Sequence, residues 1–287
     1  MTWRLLAWLA LAALAACAPS PEPARPAFWQ IAGPKGERGW LLGTIHALAR
    51  PAAWRSPAID RALADSSVIA VEIANLDDNA AMAEAFSRLS RSAGLPPLSA
   101  RIDPALRRPL ARLIADASKR EADFAGIETW AAALTLARAG AGSLDSAYGI
   151  DRAVLRLTGG KPVLELEGTE RQLGLFDAMP EREQRDLLKA VVEDDGRDSS
   201  QSGSLAEAWR RGDFAIIEAE TRRGMLADPE LRQILFTARN RAWSDSIAAL
   251  LQRGERPFVA VGAAHMAGED GLPAMLRARG FAVRRIQ

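Results

Sequence analysis

The chain has 287 residues, 48% of them hydrophobic and 25% charged, with a formal net charge of +1. A core can therefore form without staples, and the near-neutral balance excludes the basic excess by which proteins hold nucleic acid. The one cysteine, Cys17, leaves no internal disulfide, and its place beside a leader removes it as a catalytic or metal-binding thiolate.

Met1 to Ala16 reads as a secretory signal: Arg4 supplies a charge, Leu5 to Leu14 is apolar but too short to span a bilayer, and small residues precede Cys17. The phrase Leu14-Ala15-Ala16-Cys17 resembles the bacterial lipobox, which implies acylation of Cys17 and anchoring of an exported protein to the cell envelope. Ala18 is not the aspartate of inner-membrane retention, so the outer membrane, facing the periplasm, is favoured. Residues 17–27 carry four prolines and form a stiff tether, leaving 28–287 as a single domain that begins to fold near Phe28.

Phe28 to Ile31 and Gly39 to Leu42 flank a polar, glycine-bearing stretch, the pattern of a β-hairpin. Ser56-Pro57 opens a helix expected to reach about Asp65. Val68 to Ile73 follows as a β-branched strand whose one charge, Glu72, stands near its far end. Asn79 to Arg91, Asp103 to Ser118 and Thr129 to Ala139 carry apolar residues at helical spacing. Tyr148 to Asp151 opens an amphipathic stretch that stops at Gly159-Gly160. Lys161 to Glu167 is a third strand with Glu165 and Glu167 on one face.

Helices are expected from Thr169 to about Glu193, from Leu205 to about Arg222 and from Pro229 to about Gln252, with low-complexity Asp194 to Gly203 as either a mobile loop or an ordinary helix connection. Phe258 to Val261, Leu272 to Arg279 and Phe281 to Ile286 close the chain as strand, helix and strand. Strands gathered at both ends around a long helical insertion predict an α/β (α+β) fold: a central mixed sheet of N- and C-terminal strands, surrounded by helices.

The two histidines close the same phrase, Gly43-Thr44-Ile45-His46 and Gly262-Ala263-Ala264-His265, each directly after an apolar run. Glycine lets the backbone turn just past the carboxyl end of a strand, where open α/β sheets hold their ligands. A lone histidine is more often structural, but two out of two in matching settings point to a shared site. Glu72 and Glu167 end their strands in the same way. If those strands are neighbours joined by helical crossovers, all four side chains emerge along one sheet edge.

Two imidazoles and a carboxylate are a donor set for a divalent ion such as manganese, cobalt or zinc, with His46 and His265 as ligands and Glu72 as third ligand or base. A second carboxylate could take a proton from bound water, and Glu167 is the next candidate; Glu165 is a supporting partner or an edge charge. A histidine acting without metal as general base, oriented by glutamate, fits the same residues. Any strand-end carboxylate taken alone also reads as a helix cap or an arginine partner, but the buried character of Val68 to Ile73 demands a partner for Glu72. No Gly-x-Ser-x-Gly elbow competes.

These residues resemble the TraB/GumN/PrgY family, to which the Wnt-cleaving TIKI proteases are related. The match runs from Trp40-Leu41-Leu42-Gly43-Thr44-Ile45-His46 through Val71-Glu72, Tyr148-Gly149-Ile150-Asp151, Leu166-Glu167 and Arg239-Asn240 with Trp243 to Val261–Gly268. The resemblance implies a site built from both halves of the chain and, for the TIKI-like branch, divalent-metal-dependent peptide hydrolysis. It places His46, Glu72 and His265 at the centre, with Asp151, Glu167, Arg239 and Asn240 in or near the cleft. Ala264 and Met266 stand where members commonly carry glycine and leucine, both small changes.

Arg239 and Asn240 would otherwise pass as surface residues of a helix; turned toward the sheet edge, they could aim donors at a substrate carboxylate or carbonyl. Tyr148, the only tyrosine, either lines the cleft or packs. The resulting expectation is a lipid-anchored hydrolase acting on an extracytoplasmic peptide. The alternatives are a lipoprotein that captures a peptide or small ligand without cleaving it, and an envelope protein whose histidines are structural.

Overall fold

The computed structural model describes residues 20–139, 144–195 and 200–287. The expected signal segment Met1–Ala16 and the expected lipidation site Cys17 lie outside the described residues. The chain enters through β1 (Glu22–Pro23), β2 (Phe28–Ala32), β3 (Arg38–Thr44) and β4 (Ala52–Ala53), and β1 pairs in parallel with β4. Packing thus starts upstream of Phe28, with Ala24 and Ala27 already buried. Pro21 and Pro23 alternate with Glu22 and Ala24, so the amides that remain donate to Pro51 O at 2.9 Å and Ala53 O at 3.2 Å. A period of two lets a proline-rich segment serve as an edge strand.

The main sheet has six strands in the order β6-β5-β7-β3-β2-β8, completed by β5 (Val68–Val71), β6 (Val163–Glu165), β7 (Pro257–Gly262) and β8 (Ala282–Arg285). β6, β5, β7 and β3 are mutually parallel, while β2 pairs antiparallel with both β3 and β8. The expected central mixed sheet is therefore present; its strands come from both ends of the chain except β6, which comes from the middle.

All residues of β5 and β7 are buried, as expected for parallel strands covered on both faces. Leu42, Val71 and Ala260 pack on one face with Ile59 and Trp209; Leu41, Ala70, Val259 and Val261 pack on the other with Trp243 and Ile247. A third apolar cluster, with Leu113, Trp130, Leu187 and Leu231, lies within the helical insertion.

The helices are α1 (Pro57–Asp65), α2 (Asn79–Leu89), α3 (Arg107–Asp116), α4 (Thr129–Ala139), α5 (Ile150–Leu155) and α6 (Thr169–Asp177). They continue with α7 (Glu181–Asp195), α8 (Ser200–Arg211), α9 (Phe214–Glu220), α10 (Pro229–Arg232), α11 (Ala238–Gln252) and α12 (Leu272–Ala278). Ser56 caps α1 by accepting from the Ile59 amide.

Three expected helices differ in detail. The stretch from Thr169 to Glu193 breaks into α6 and α7 before Pro180, which brings no amide hydrogen and disfavours helical geometry at Met179. The stretch from Leu205 to Arg222 breaks between α8 and α9 at Gly212, whose φ of 67° only glycine adopts readily. From Pro229 to Gln252 the helix is continuous, but a π-helical turn, Gln233–Thr237, joins α10 to α11. The connection Asp194–Gly203 lies partly outside the described residues; α7 reaches Asp195 and α8 begins at Ser200.

Candidate active site

The four parallel strands end at one sheet edge, in the register Thr44 beside Gly262, Val71 beside Ala260 and Val71 beside Glu165. His46, Glu72, Glu167 and His265 each follow within three residues of a strand end. A Cβ built on Gly262 would stand 3.4 Å from Glu72 Oε1, 3.5 Å from His46 Nε2 and 3.7 Å from His265 Cδ2. The two imidazoles and the acid thus converge on one point, and glycine leaves that point open.

His46 is aimed by Asp151. The carboxylate stands in the first turn of α5, accepts from Thr44 Oγ1 at 2.6 Å and pairs with His46 Nδ1 at 2.9 Å. Ile150 N donates to Ile45 O at 2.9 Å, so the His46 loop and the start of α5 are joined by backbone as well. Burial pushes Asp151 upward, but the neighbouring His46 and the hydrogen bonds from His46 and Thr44 outweigh it and hold its carboxyl low. The Asp151 charge in turn raises His46 to about 9. Solvent reaches 70% of the His46 side chain, so screening tempers this attraction without changing its direction. Nε2 is left open to the cleft.

Arg239 is the hub of the other half. It donates through Nη2 to Glu167 Oε2 at 2.7 Å and to Glu72 Oε2 at 3.1 Å, and through Nε to Glu167 at 3.1 Å. Glu72 also accepts the Gly262 amide at 2.7 Å, and its backbone carbonyl accepts from Gly168 N at 2.9 Å. The side chains of Arg239, Glu72 and Glu167 are 10%, 8% and 3% exposed, so this cation is the partner that burial of two carboxylates requires. Burial raises Glu72, while His265, His46, Arg239 and the Gly262 amide lower it, and the net direction is down. His265 is itself kept uncharged by burial, so the lasting cations beside Glu72 are Arg239 and His46.

His265 sits in a 3-10 turn, Ala263–Met266, between Phe236, stacked at 5.2 Å, and Trp243 at 4.5 Å. This apolar sandwich lowers its pKa to about 3 by desolvation, and the Arg239 and His46 charges add to the shift. Asn240 Nδ2 donates to Asp270 O at 2.8 Å, which turns Asn240 Oδ1 toward His265 Nδ1 at 2.7 Å. The proton of the neutral ring is therefore on Nδ1. Nε2 keeps its lone pair, with Arg239 Nη1 3.4 Å away.

Phe236, Arg239, Asn240 and Trp243 follow the spacing of one helix face, and they stand directly around the π turn. Asn240 is fully buried and Arg239 nearly so, which excludes the surface reading of both. Glu165 takes no part: its Oε1 accepts the Ala74 amide at 2.7 Å. Tyr148 packs partly buried against the apolar cluster under β3, and Ser146 takes the neighbouring place in the cavity wall. Phe236 and the Asp151–Thr44 bond escaped the sequence reading; the spacing of Phe236 to Arg239 and Trp243 was the available signal for the first.

Two cavities meet at His46. One, of about 220 Å³, is lined by Glu72, Ile73, Asp151 and Arg152; the other, of about 490 Å³, by Trp209, Phe236, Arg239 and His265. A cavity of about 800 Å³ beside Phe214 and Arg285 contains neither histidine.

Each histidine has Nδ1 tied to an oxygen, which turns Nε2 of His46 to the open cleft and Nε2 of His265 to Arg239 Nη1; this is how proteins orient metal-binding imidazoles, and Glu72 adds a hard oxygen. The donor chemistry fits a divalent ion. As the side chains stand, Arg239 engages both Glu72 and His265, and no group of three or more His, Cys, Asp or Glu among the described residues is spaced to hold one.

Parallel strands that deliver two imidazoles and two carboxylates around a helix-borne arginine define an α/β protein with a candidate site at the carboxyl edge of the sheet. The chain belongs to the TraB/PrgY/gumN family, which it matches over residues 27–285. It is 30% identical over 141 residues to the protein described as Uncharacterized protein YbaP of Escherichia coli (strain K12), covering 47% of this chain and 50% of that one. The protein of the same description from Shigella flexneri matches to the same extent. The chain spans about half the length of these curated relatives that it matches. No solved structure matches it.

Proposed function

We propose that the cleft is a hydrolytic site for a peptide, with His46, His265 and Glu72 as its working groups. The observation that carries this reading is their convergence on the open point at Gly262. A divalent ion, manganese, cobalt or zinc, would be held by Nε2 of both histidines and by Glu72, and when bound would make water more acidic and polarise a carbonyl. Asp151 and Asn240 orient the two rings through Nδ1, so neither turns away from the cleft. If Glu72 is not a ligand, its charged carboxylate would instead serve as the base that accepts a proton from water. Arg239, whose N–H groups are taken by Glu167, Glu72, the Leu235 carbonyl and His265 Nε2, would act through its fixed positive charge where negative charge develops.

A second reading has its own support. Both oxygens of Glu72 are already occupied, one by the Gly262 amide and one by Arg239, as in a site that captures a ligand without turning it over. Mass-spectrometric detection of cleaved peptide, with manganese, cobalt and zinc each added, separates the two. Hydrolysis requires product from the native chain and loss of roughly 10²-fold or more in rate in Glu72→Gln and in the double variant His46→Ala/His265→Ala. Saturable binding with no product under any ion leaves the capture reading.

The lipobox-like phrase ending at Cys17 supports placing this activity in the cell envelope, at the outer membrane. Intact-mass measurement of the membrane-extracted protein checks this: an acylated Cys17 at the mature N-terminus is expected, and an unmodified chain retaining Met1 rejects it.

A further inference from the structure

The working groups adjoin two larger, mainly apolar cavities, one of which also carries three arginines. On one side, the cavity of about 490 Å³ is walled by Trp209, Leu235 and Phe236, with Leu205 and Met225 at its rim. Leu205 and Met225 are 37% and 36% exposed, two of the four large hydrophobic side chains that stand so open among the described residues. Apolar side chains left in water around one concavity gain free energy when an apolar group fills it.

On the other side, the small cavity at Glu72 and Asp151 shares Ile73 and Arg152 with one of about 930 Å³. This larger cavity sets Arg138, Arg152 and Arg156 against Asp77 and Asp145. Both acids are already committed: Asp77 pairs with Arg152, and Asp145 accepts the Ala147 amide at 2.8 Å. Among the described residues Arg138 and Arg156 have no ion-pair partner. The amide hydrogen bond leaves the Asp145 charge in place, so three guanidinium groups outweigh two carboxylates by one positive charge, and the unpaired forks of Arg138 and Arg156 suit a further carboxylate.

His46 lines both the apolar cavity and the small one, so a chain threaded from end to end passes over its ring. We infer that the cleft selects an extended peptide with an apolar side chain on the Trp209 and Phe236 side of His46 and a carboxylate on the Arg138 and Arg156 side. The inference rests on the reading of this cleft as a peptide site. The carboxylate is supplied by an acidic side chain or by the peptide's own C-terminus.

Short fluorescein-labelled peptides test this when titrated with the full chain and followed by anisotropy, which needs no turnover. The reference peptide has paired leucines at one end, paired glutamates at the other and an amidated terminus. Companions carry lysine for glutamate or serine for leucine, and one carries a free C-terminal carboxylate with no acidic side chain. The reference is expected to bind roughly tenfold more tightly than the lysine or serine peptides.

Arg138→Glu/Arg156→Glu should reverse the glutamate-over-lysine preference, and Leu205→Ser/Met225→Ser should remove only the leucine-over-serine preference. All four positions are exposed, so the variants keep the fold. A free-terminus peptide that matches the reference assigns the carboxylate to the chain end; a weaker one assigns it to the side chain. Equal affinity across the set, no saturable binding, or a charge reversal without effect overturns the inference. Selective binding with no cleaved product upholds it and rejects the hydrolytic reading instead.

Discussion

Asn240 Oδ1 lies 2.7 Å from His265 Nδ1, and this one contact decides which nitrogen of a buried, uncharged ring carries the proton. Asn240 is fully buried, and its amide is fixed by the Asp270 carbonyl, so the ring cannot choose the other tautomer without losing its partner. Asn240→Ala strands the Nδ1 hydrogen in an apolar sandwich. It is expected to cost about 1–3 kcal/mol of stability in urea unfolding and to lower activity or ligand affinity, with better retention in Asn240→Asp, which keeps an acceptor. A variant with unchanged stability and function would show that the tautomer does not matter.

His46 and Asp151 make a prediction about protons. Asp151 raises His46 to about 9, so at neutral pH the ring is protonated and must lose that proton before Nε2 can bind an ion. Titration calorimetry with zinc in buffers of different ionisation enthalpy should report release of about one proton at pH 7, and affinity should climb with pH until about 9. Asp151→Asn should release less. No dependence on buffer would remove His46 from the ligand set.

The same pair bears on stability with a definite sign. The folded-state value of His46, about 9, lies above the ordinary 6.5, so its contribution is fully present below 6.5 and is lost as pH rises through 9. Melting temperature should fall across that window in the native chain and fall less in Asp151→Asn. The exposure of the ring keeps the effect small.

Arg239 separates two buried carboxylates from the cost of their own charge. Arg239→Ala leaves Glu167 without its ion-pair partner and Glu72 with only the solvent-exposed His46, and is expected to destabilise by about 3–5 kcal/mol in chemical denaturation. Arg239→Lys presents a point charge that cannot serve both acids in the same geometry, so it should recover only part of the loss. If Arg239→Ala is as stable as the native chain, the arginine is not the partner these acids require.

Gly149 shapes the site by being small. A Cβ there would collide with the His46 carbonyl, which rests against the start of α5. Gly149→Ala is expected to push the His46 loop outward, lowering function well beyond its cost of about 1–3 kcal/mol in stability. Wild-type function in this variant would mean that the loop has room the packing does not show.

Much of this architecture was legible along the chain. Short apolar runs followed by Gly-x-x-His mark strands that stop at a turn, because a fully buried parallel strand shows no alternation and glycine marks where it bends away. Glu72 at the end of an otherwise apolar run signalled a partnered charge, since burial without one is too costly. Helix lengths were less legible: Pro180 and Gly212 broke two expected helices, and Pro21 and Pro23 proved compatible with an edge strand where a tether was expected.

The amino-acid sequence by itself determined the strand-ending phrases, the helical insertion and the residue types at the sheet edge, because these depend on local periodicity and on turn chemistry. Only the tertiary structure decided that β7 lies between β5 and β3, that Arg239 joins Glu72 to Glu167, and that a π turn carries Phe236 and Asn240 to His265. Strand order and helix rotation are set by which apolar faces bury one another across long separations in the chain, and no local pattern encodes that choice.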